Sequence, residues 1–238
     1  MKHFIIFALL LITIYSQAQT IDISKDKKDT ISYSKLTGET YIEKKGYKGE
    51  QNFNKVWMQS DILLCTGEMV LGEKVKYNGL IDQLIWGNAT LNQQIKLDKQ
   101  LVNEFWLLDD KNQTTHFKKI SVNNSPTSNH QSDFFAELMV KGNLSLYVQR
   151  KISIVDIDNI VVDGTLCRIE TIKATPMYYL KLPIDNYVFL EKIRPKSFKQ
   201  LFPTQKKQID KLMKENHMKL RDENDLINLI KLLNTQEP

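Results

Sequence analysis

From about residue 56 to residue 193 apolar and polar side chains alternate with a period of two, and after Pro195 the apolar positions fall at helical spacing. In the first region the run 68–71 leads through Gly72 into 74–77, and Asn78-Gly79 separates that run from 80–86. An Asn-Gly pair between alternating runs predicts a hairpin with a type I′ turn, because both residues tolerate positive φ. Asp163-Gly164 stands in the same relation to the runs 159–162 and 165–169. Further strands are predicted at 94–97, 104–108, 114–122, 134–140, 144–150, 177–182 and 187–193, with Lys141-Gly142-Asn143 as a turn and 123–132 as a polar loop. Short strands punctuated this often predict a mainly β chain of the α+β class: an antiparallel meander, open barrel or sandwich, followed by a short C-terminal helical hairpin.

The tail is read from its punctuation. Pro195-Lys196-Ser197 precedes Phe198, Leu201 and Phe202, a short helix that Pro203 ends. Thr204 is placed to cap a second helix, with Ile209, Leu212 and Met213 on one side and Lys206, Lys207, Lys211 and Lys214 largely on the other. Asp222 suits a third helix start, and Leu226, Leu229, Ile230 and Leu233 follow as a stripe at i, i+3, i+4 and i+7. Helices this short do not bury their stripes alone, so the tail is expected to pack on the β body or on a partner.

At the other end, Lys2-His3, an apolar run over 4–15 and Ser16-Gln17-Ala18 have the layout of a secretory signal peptide covering residues 1–18. The apolar run is shorter than the roughly 20 residues of a spanning helix. Cleavage after Ala18 leaves Gln19 first, with no cysteine to carry a lipid, and no second long apolar run follows. The expectation is an exported protein, periplasmic, outer-membrane-associated or secreted. It is not expected to be a lipoprotein, nor to keep a transmembrane segment in the mature chain. The organisation expected is a signal peptide at 1–18, a flexible polar arm at 19–55, a β body at 56–193 and a basic helical module at 194–238.

Composition adds where the charge sits. The chain has 33 Lys/Arg and 28 Asp/Glu, a net charge of +5, and 42% hydrophobic residues, which excludes a disordered tail. Residues 19–190 balance 21 basic against 21 acidic side chains, whereas 191–238 hold 11 Lys/Arg against 7 Asp/Glu. A uniformly basic nucleic-acid binder would not confine its excess to one tail, and export makes nucleic acid a poor partner. Lys206, Lys207, Lys211 and Lys214 are the candidate partner-binding residues, facing an acidic surface of another envelope protein. A lysine-rich helix face is more often simply solvated.

The two cysteines exclude a disulfide-dense miniprotein and a four-cysteine zinc site. Export makes Cys65–Cys167 a candidate disulfide, closing a loop of about 100 residues and worth about 4–5 kcal/mol in the chain-entropy model. Two buried free thiols are the equal alternative.

No set of catalytic residues, metal ligands or cofactor contacts emerges. H-E-x-x-H, H-x-H, G-x-S-x-G and phosphate-cradling glycine loops do not occur, and S-x-x-K occurs just in the polar arm, at Ser24–Lys27 and Ser32–Lys35. His116 follows Asp109-Asp110, but the string from Asp109 to Gln113 reads as a hairpin turn. His130 is isolated in a polar loop, and His217 ends a helix. The Asp156-to-Gly164 string resembles a calcium loop, yet it has Val161 where an EF-hand needs Gly and Cys167 where it needs Glu. Trp57, Trp86, Trp106, Tyr178 and Tyr179 read as core before they read as a ligand groove.

Two groups of motifs carry a resemblance. One is Gly72 to Asn78 with Asp82, followed by Phe134-Phe135-Ala136-Glu137-Leu138 and Gly142-Asn143-Leu144-Ser145-Leu146. The other is Tyr178-Tyr179-Leu180, then Lys196-Ser197 through Leu201-Phe202-Pro203, and Leu220 with Asp225-Leu226-Ile227. Over roughly residues 67–234 the chain resembles a family of uncharacterised exported envelope proteins of Bacteroidota with a β-hairpin body and a helical tail. The resemblance implies compartment and layout; it supplies no activity and no catalytic residue. The reading is therefore a binding or scaffolding protein of the envelope, more readily non-enzymatic than enzymatic, with no cofactor. The alternatives are a carrier of a lipid or glycan ligand in a barrel-like cavity, and a hydrolase with dispersed carboxylates.

Overall fold

The computed structural model of the protein describes residues 35–123, 132–183 and 187–236; the expected signal peptide and His130 lie outside the described residues. Among the described residues the strands are β1 (Gly38–Thr40), β2 (Tyr47–Lys48), β3 (Met58–Leu64), β4 (Met69–Asn78), β5 (Gln83–Asn88), β6 (Gln93–Leu97) and β7 (Val102–Leu108). They continue with β8 (Thr114–Val122), β9 (Ser132–Val140), β10 (Ser145–Gln149), β11 (Ile152–Val162), β12 (Thr165–Ala174), β13 (Met177–Lys181) and β14 (Tyr187–Leu190). Three helices follow, α1 (Pro195–Leu201), α2 (Lys206–Glu215) and α3 (Glu223–Gln236). No helix among the described residues is long and apolar enough to cross a membrane.

Eleven strands make one antiparallel sheet in the order β1-β6-β5-β4-β3-β7-β8-β9-β10-β13-β14. It is not closed into a barrel, since β1 and β14 remain its edges. The chain lays down the meander β3–β6, returns to set β7 beside β3, and meanders again through β10. It then leaves the sheet as the hairpin β11–β12 and returns as β13 and β14. The hairpin and β2 form a second, three-stranded sheet, with β2 parallel to β12 through Tyr47 and Lys48.

The period-two pattern has a direct cause in this sheet, because successive side chains enter opposite layers. Phe135 packs with Tyr77, Phe105 and Phe117 in one cluster, while its neighbours Phe134 and Ala136 pack with Ile120, Tyr147 and Tyr179 in another. Phe105 and Phe117 stack at 4.8 Å with an interplanar angle of 8°. Leu146, Val148 and Leu180 face the helices and pack with Phe198, Ile209, Leu212, Leu226, Leu229 and Ile230. The helical stripes are thus buried on the β body itself.

Three local expectations change. The polar arm expected at 19–55 is described from residue 35, and that part is docked: Leu36 is buried, β1 pairs with β6, and Gln51 and Asn52 are buried. Asn78-Gly79 does turn the chain, but not as a two-residue type I′ turn. The loop runs from Gly79 to Asp82, the Asn78 carbonyl oxygen Oδ1 accepts from Leu80 N and Ile81 N, and the positive φ falls on Asp82. Thr204 does not cap α2, whose N-cap is Gln205 without a side-chain bond. Asp222 does cap α3, accepting from Asp225 N at 2.9 Å. At the tip of β11–β12, Asp163 and Gly164 both take positive φ, as a two-residue turn demands.

Candidate functional site

The basic tail folds into a concavity of about 630 Å³ between α1 and α2, lined by Arg194, Pro195, Lys196, Lys199, Gln200, Lys206 and Asp210. Pro195 at the first helical position fixes the start of α1, and it sets Arg194 just outside the helix. Lys196 and Lys199 then share a face at i, i+3, while Phe198 is anchored in the core. On α2, Ile209, Leu212 and Met213 are buried. With about 100° per residue, this turns Lys206 toward α1 and fans Lys207, Lys211 and Lys214 outward. Lys199 Nζ reaches Asp210 Oδ1 at 2.7 Å and braces the two helices. Four cations and one carboxylate thus line the concavity.

Of the four lysines singled out by sequence, the structure therefore places Lys206 in the concavity, and the other three lie exposed outside its lining. Lys211 pairs along the helix with Glu215 at 3.8 Å. Lys196 and Lys199 lie in the Lys196-to-Pro203 motif and Arg194 in none; as binding candidates all three are signalled only by the charge excess of residues 191–238. Cys65 and Cys167 are free thiols, Cys65 exposed after β3 with Lys119 Nζ 3.4 Å from its Sγ, Cys167 half-buried on β12.

The other ionisable clusters serve as structural ties. Asp82 accepts from Tyr77 Oη at 2.6 Å, from Phe135 N at 3.2 Å and from Lys99 Nζ. Burial raises the Asp82 carboxyl, with Lys99 opposing, and burial pushes the Tyr77 phenol well up. Arg150 clasps Glu137 and Glu223, and Tyr178 Oη donates to Glu223 at 3.1 Å. Burial raises the Glu137 carboxyl. Burial acts the same way on Glu223, but the Arg150 and Tyr178 contacts outweigh it and hold Glu223 below the usual carboxylate range. Two acids shared by one guanidinium are already spent as hydrogen-bond acceptors. His116 lies against Glu104, at 2.7 Å, rather than against Asp109 or Asp110, and stacks on Trp106 at 4.6 Å. Asp109 accepts from Lys111 N and Gln113 N and forms the expected hairpin turn. Trp86 and Tyr179 are core residues, and Trp57 packs on Gly87.

No protein-family model, curated protein or solved structure matches the chain. The basic concavity is thus assigned on its geometry and charge alone.

Proposed function

We propose that the protein is an exported binding or scaffolding component of the cell envelope, periplasmic or outer-membrane-associated, of the Bacteroidota type its motifs resemble. It docks an acidic surface of another envelope protein through the α1–α2 concavity. The observation that carries this reading is that Arg194, Lys196, Lys199 and Lys206 line one concavity with a single carboxylate, Asp210, which Lys199 engages. An apolar body that spent its charges only on solubility would scatter them; here the excess is gathered on a surface held rigid by Phe198 and the Lys199–Asp210 bridge. Such a patch steers an acidic partner and gives a salt-dependent association.

The test is crosslinking capture from the native envelope with two sets of charge reversals. Arg194→Glu, Lys196→Glu and Lys206→Glu together should lose the captured partner at moderate salt, since all three are exposed and carry no buried contact. Lys207→Glu, Lys211→Glu and Lys214→Glu should weaken capture less. Equal capture by wild type and both variants rejects the reading. Fractionation of the native cell into cytoplasm and envelope tests the compartment.

A further inference from the structure

The β11–β12 hairpin carries a second surface. At its base Ile152 and Ile172 are buried, and Ile152 N donates to Gly79 O at 3.0 Å. Beyond the base the same face turns outward: Ile154 is 44% exposed, Ile157 46%, Val161 69% and Leu166 71%. The ladder register keeps these on one side, because Ile154 opposes Ile172, Val161 opposes Leu166, and a bulge at Val155 carries Ile157 onto the face of Ile154. Asn159 and the Arg168–Glu170 ion pair interrupt that face. A two-stranded ribbon has no layer of its own to cover it.

The strand is also an open edge. Among the described residues β11 pairs with β12 alone, and β12 meets β2 only at Glu170 and Thr171. The outer edge of β11 therefore presents unpaired backbone groups, the template for strand addition. Its other face carries Asp156 and Asp158, which are in no ion pair among the described residues. Asp156 Oδ1 accepts from Ile157 N at 2.9 Å, so Asp156 also steadies the bulge.

We infer that the outer edge of β11 accepts an added strand: an extended segment of a partner protein with apolar side chains on one face and Lys or Arg on the other. The apolar face meets Ile154, Ile157 and Val161, and the basic face meets Asp156 and Asp158. A second copy is the poorer occupant. Pairing β11 with itself in full register about Ile157 sets Asp156 opposite Asp158 twice, and like charges directly opposed destabilise a sheet. This surface is separate from the basic concavity and does not depend on it.

The probe is a labelled peptide of about eight residues alternating Val and Lys, long enough to span the exposed part of β11. Its binding to the full chain is read by fluorescence anisotropy, against a Val–Glu peptide and against the Val–Lys peptide with two central prolines. The Lys peptide should bind about tenfold more tightly than the Glu peptide, the effect of two cross-strand charge pairs. The prolyl peptide should lose binding because it cannot complete the ladder. Asp156→Lys with Asp158→Lys should invert the Lys-over-Glu preference. Asp158→Lys alone, which leaves the bulge intact, should narrow it. The inference is overturned if the Lys and Glu peptides bind alike, or if the prolyl peptide binds as well as its parent. It is overturned too if sedimentation shows a dimer that Val161→Ser and Leu166→Ser dissolve. The same holds if anionic phosphatidylglycerol vesicles bind the chain through those two residues.

Discussion

The Arg150 guanidinium and the Glu223 carboxylate form a two-pronged pair, Nη1 to Oε2 at 2.7 Å and Nη2 to Oε1 at 2.9 Å, joining the residue after β10 to the first residue of α3. Arg150 also bonds Glu137 and lies 6.0 Å from the centre of the Phe53 ring, which meets Phe117 in the sheet core. It therefore sits where the core of β3–β8 adjoins the core under the helices. Removing the guanidinium leaves two half-buried carboxylates facing each other. Arg150→Ala should cost about 2–4 kcal/mol in urea denaturation, below the fully buried case because these side chains keep some solvent. Glu223→Gln, which keeps the shape and loses the charge, should cost about 1–2 kcal/mol. In both variants hydrogen exchange should rise in α3 more than in β3 to β8.

The same pair makes a signed prediction for acid. Glu223 is held below its ordinary value near 4.5, so its contribution is present above the unfolded value and is lost as the pH falls through the folded one. Glu137 is raised by burial, so its contribution runs the other way and grows as the pH falls. Glu223→Gln should flatten the fall of stability below about pH 5, and Glu137→Gln should steepen it. Melting temperatures between about pH 3 and pH 7 measure both slopes. Parallel curves for the two variants would contradict the assignment.

The alternating runs within β4 to β10 were legible where a strand buries one face and leaves the other more open, as β8 does, and the stripe of α3 because Leu226, Leu229, Ile230 and Leu233 all reach the core. β3 was not, although it is central. Its buried positions alternate from Met58 through Ser60, Ile62 and Leu64, but Gln59, Ser60 and Asp61 dilute the hydrophobic signal. β1 and β2 have no pattern of their own and exist through their neighbours β6 and β12. The concavity was legible only as a regional charge excess. Which cations line it depends on how Phe198 and Ile209 seat two helices. Arg150 and Glu223, 73 residues apart, leave no local motif.

Several residues of the motif set turn out to close the hairpins. Asn234 Oδ1 accepts from Leu144 N and Asn234 Nδ2 donates to Leu144 O, each at 2.9 Å, so a side chain of α3 pairs with the turn between β9 and β10 as a strand would. Gly142 leaves room for it: a Cβ there would stand 2.3 Å from Asn234 Nδ2. Asn234→Ala should cost about 1–3 kcal/mol, the price of leaving the two polar groups of a buried Leu144 without their partner. Gly142→Ala should cost a similar amount by displacing the amide. Because both act on one contact, the double variant should cost clearly less than the two added together. A double-mutant cycle in urea reads that coupling, and additivity would show that the contact contributes little.

The Tyr77–Asp82 bond yields a ranking. Tyr77 is fully buried and its hydroxyl donates to Asp82 at 2.6 Å, with Phe135 O more distant at 3.4 Å. Asp82 has φ 53°, a left-handed conformation that Asp and Asn adopt more readily than Ala. Tyr77→Phe removes one donor and keeps the ring, at about 1 kcal/mol. Asp82→Asn keeps the backbone preference and an acceptor but loses the charge pairing Lys99, at about 1–2 kcal/mol. Asp82→Ala strands the Tyr77 hydroxyl and Phe135 N and also forces Ala into the left-handed region, at about 3 kcal/mol or more. The urea midpoints should therefore fall in the order Tyr77→Phe, Asp82→Asn, Asp82→Ala. Burial raises Asp82, so its ionised form is a net cost that grows as the pH rises through its folded value. The deficit of Asp82→Asn should accordingly shrink from acid toward neutral pH, whereas that of Tyr77→Phe should change less. If Tyr77→Phe proves as costly as Asp82→Ala, the hydroxyl rather than the carboxylate is the anchor of this loop.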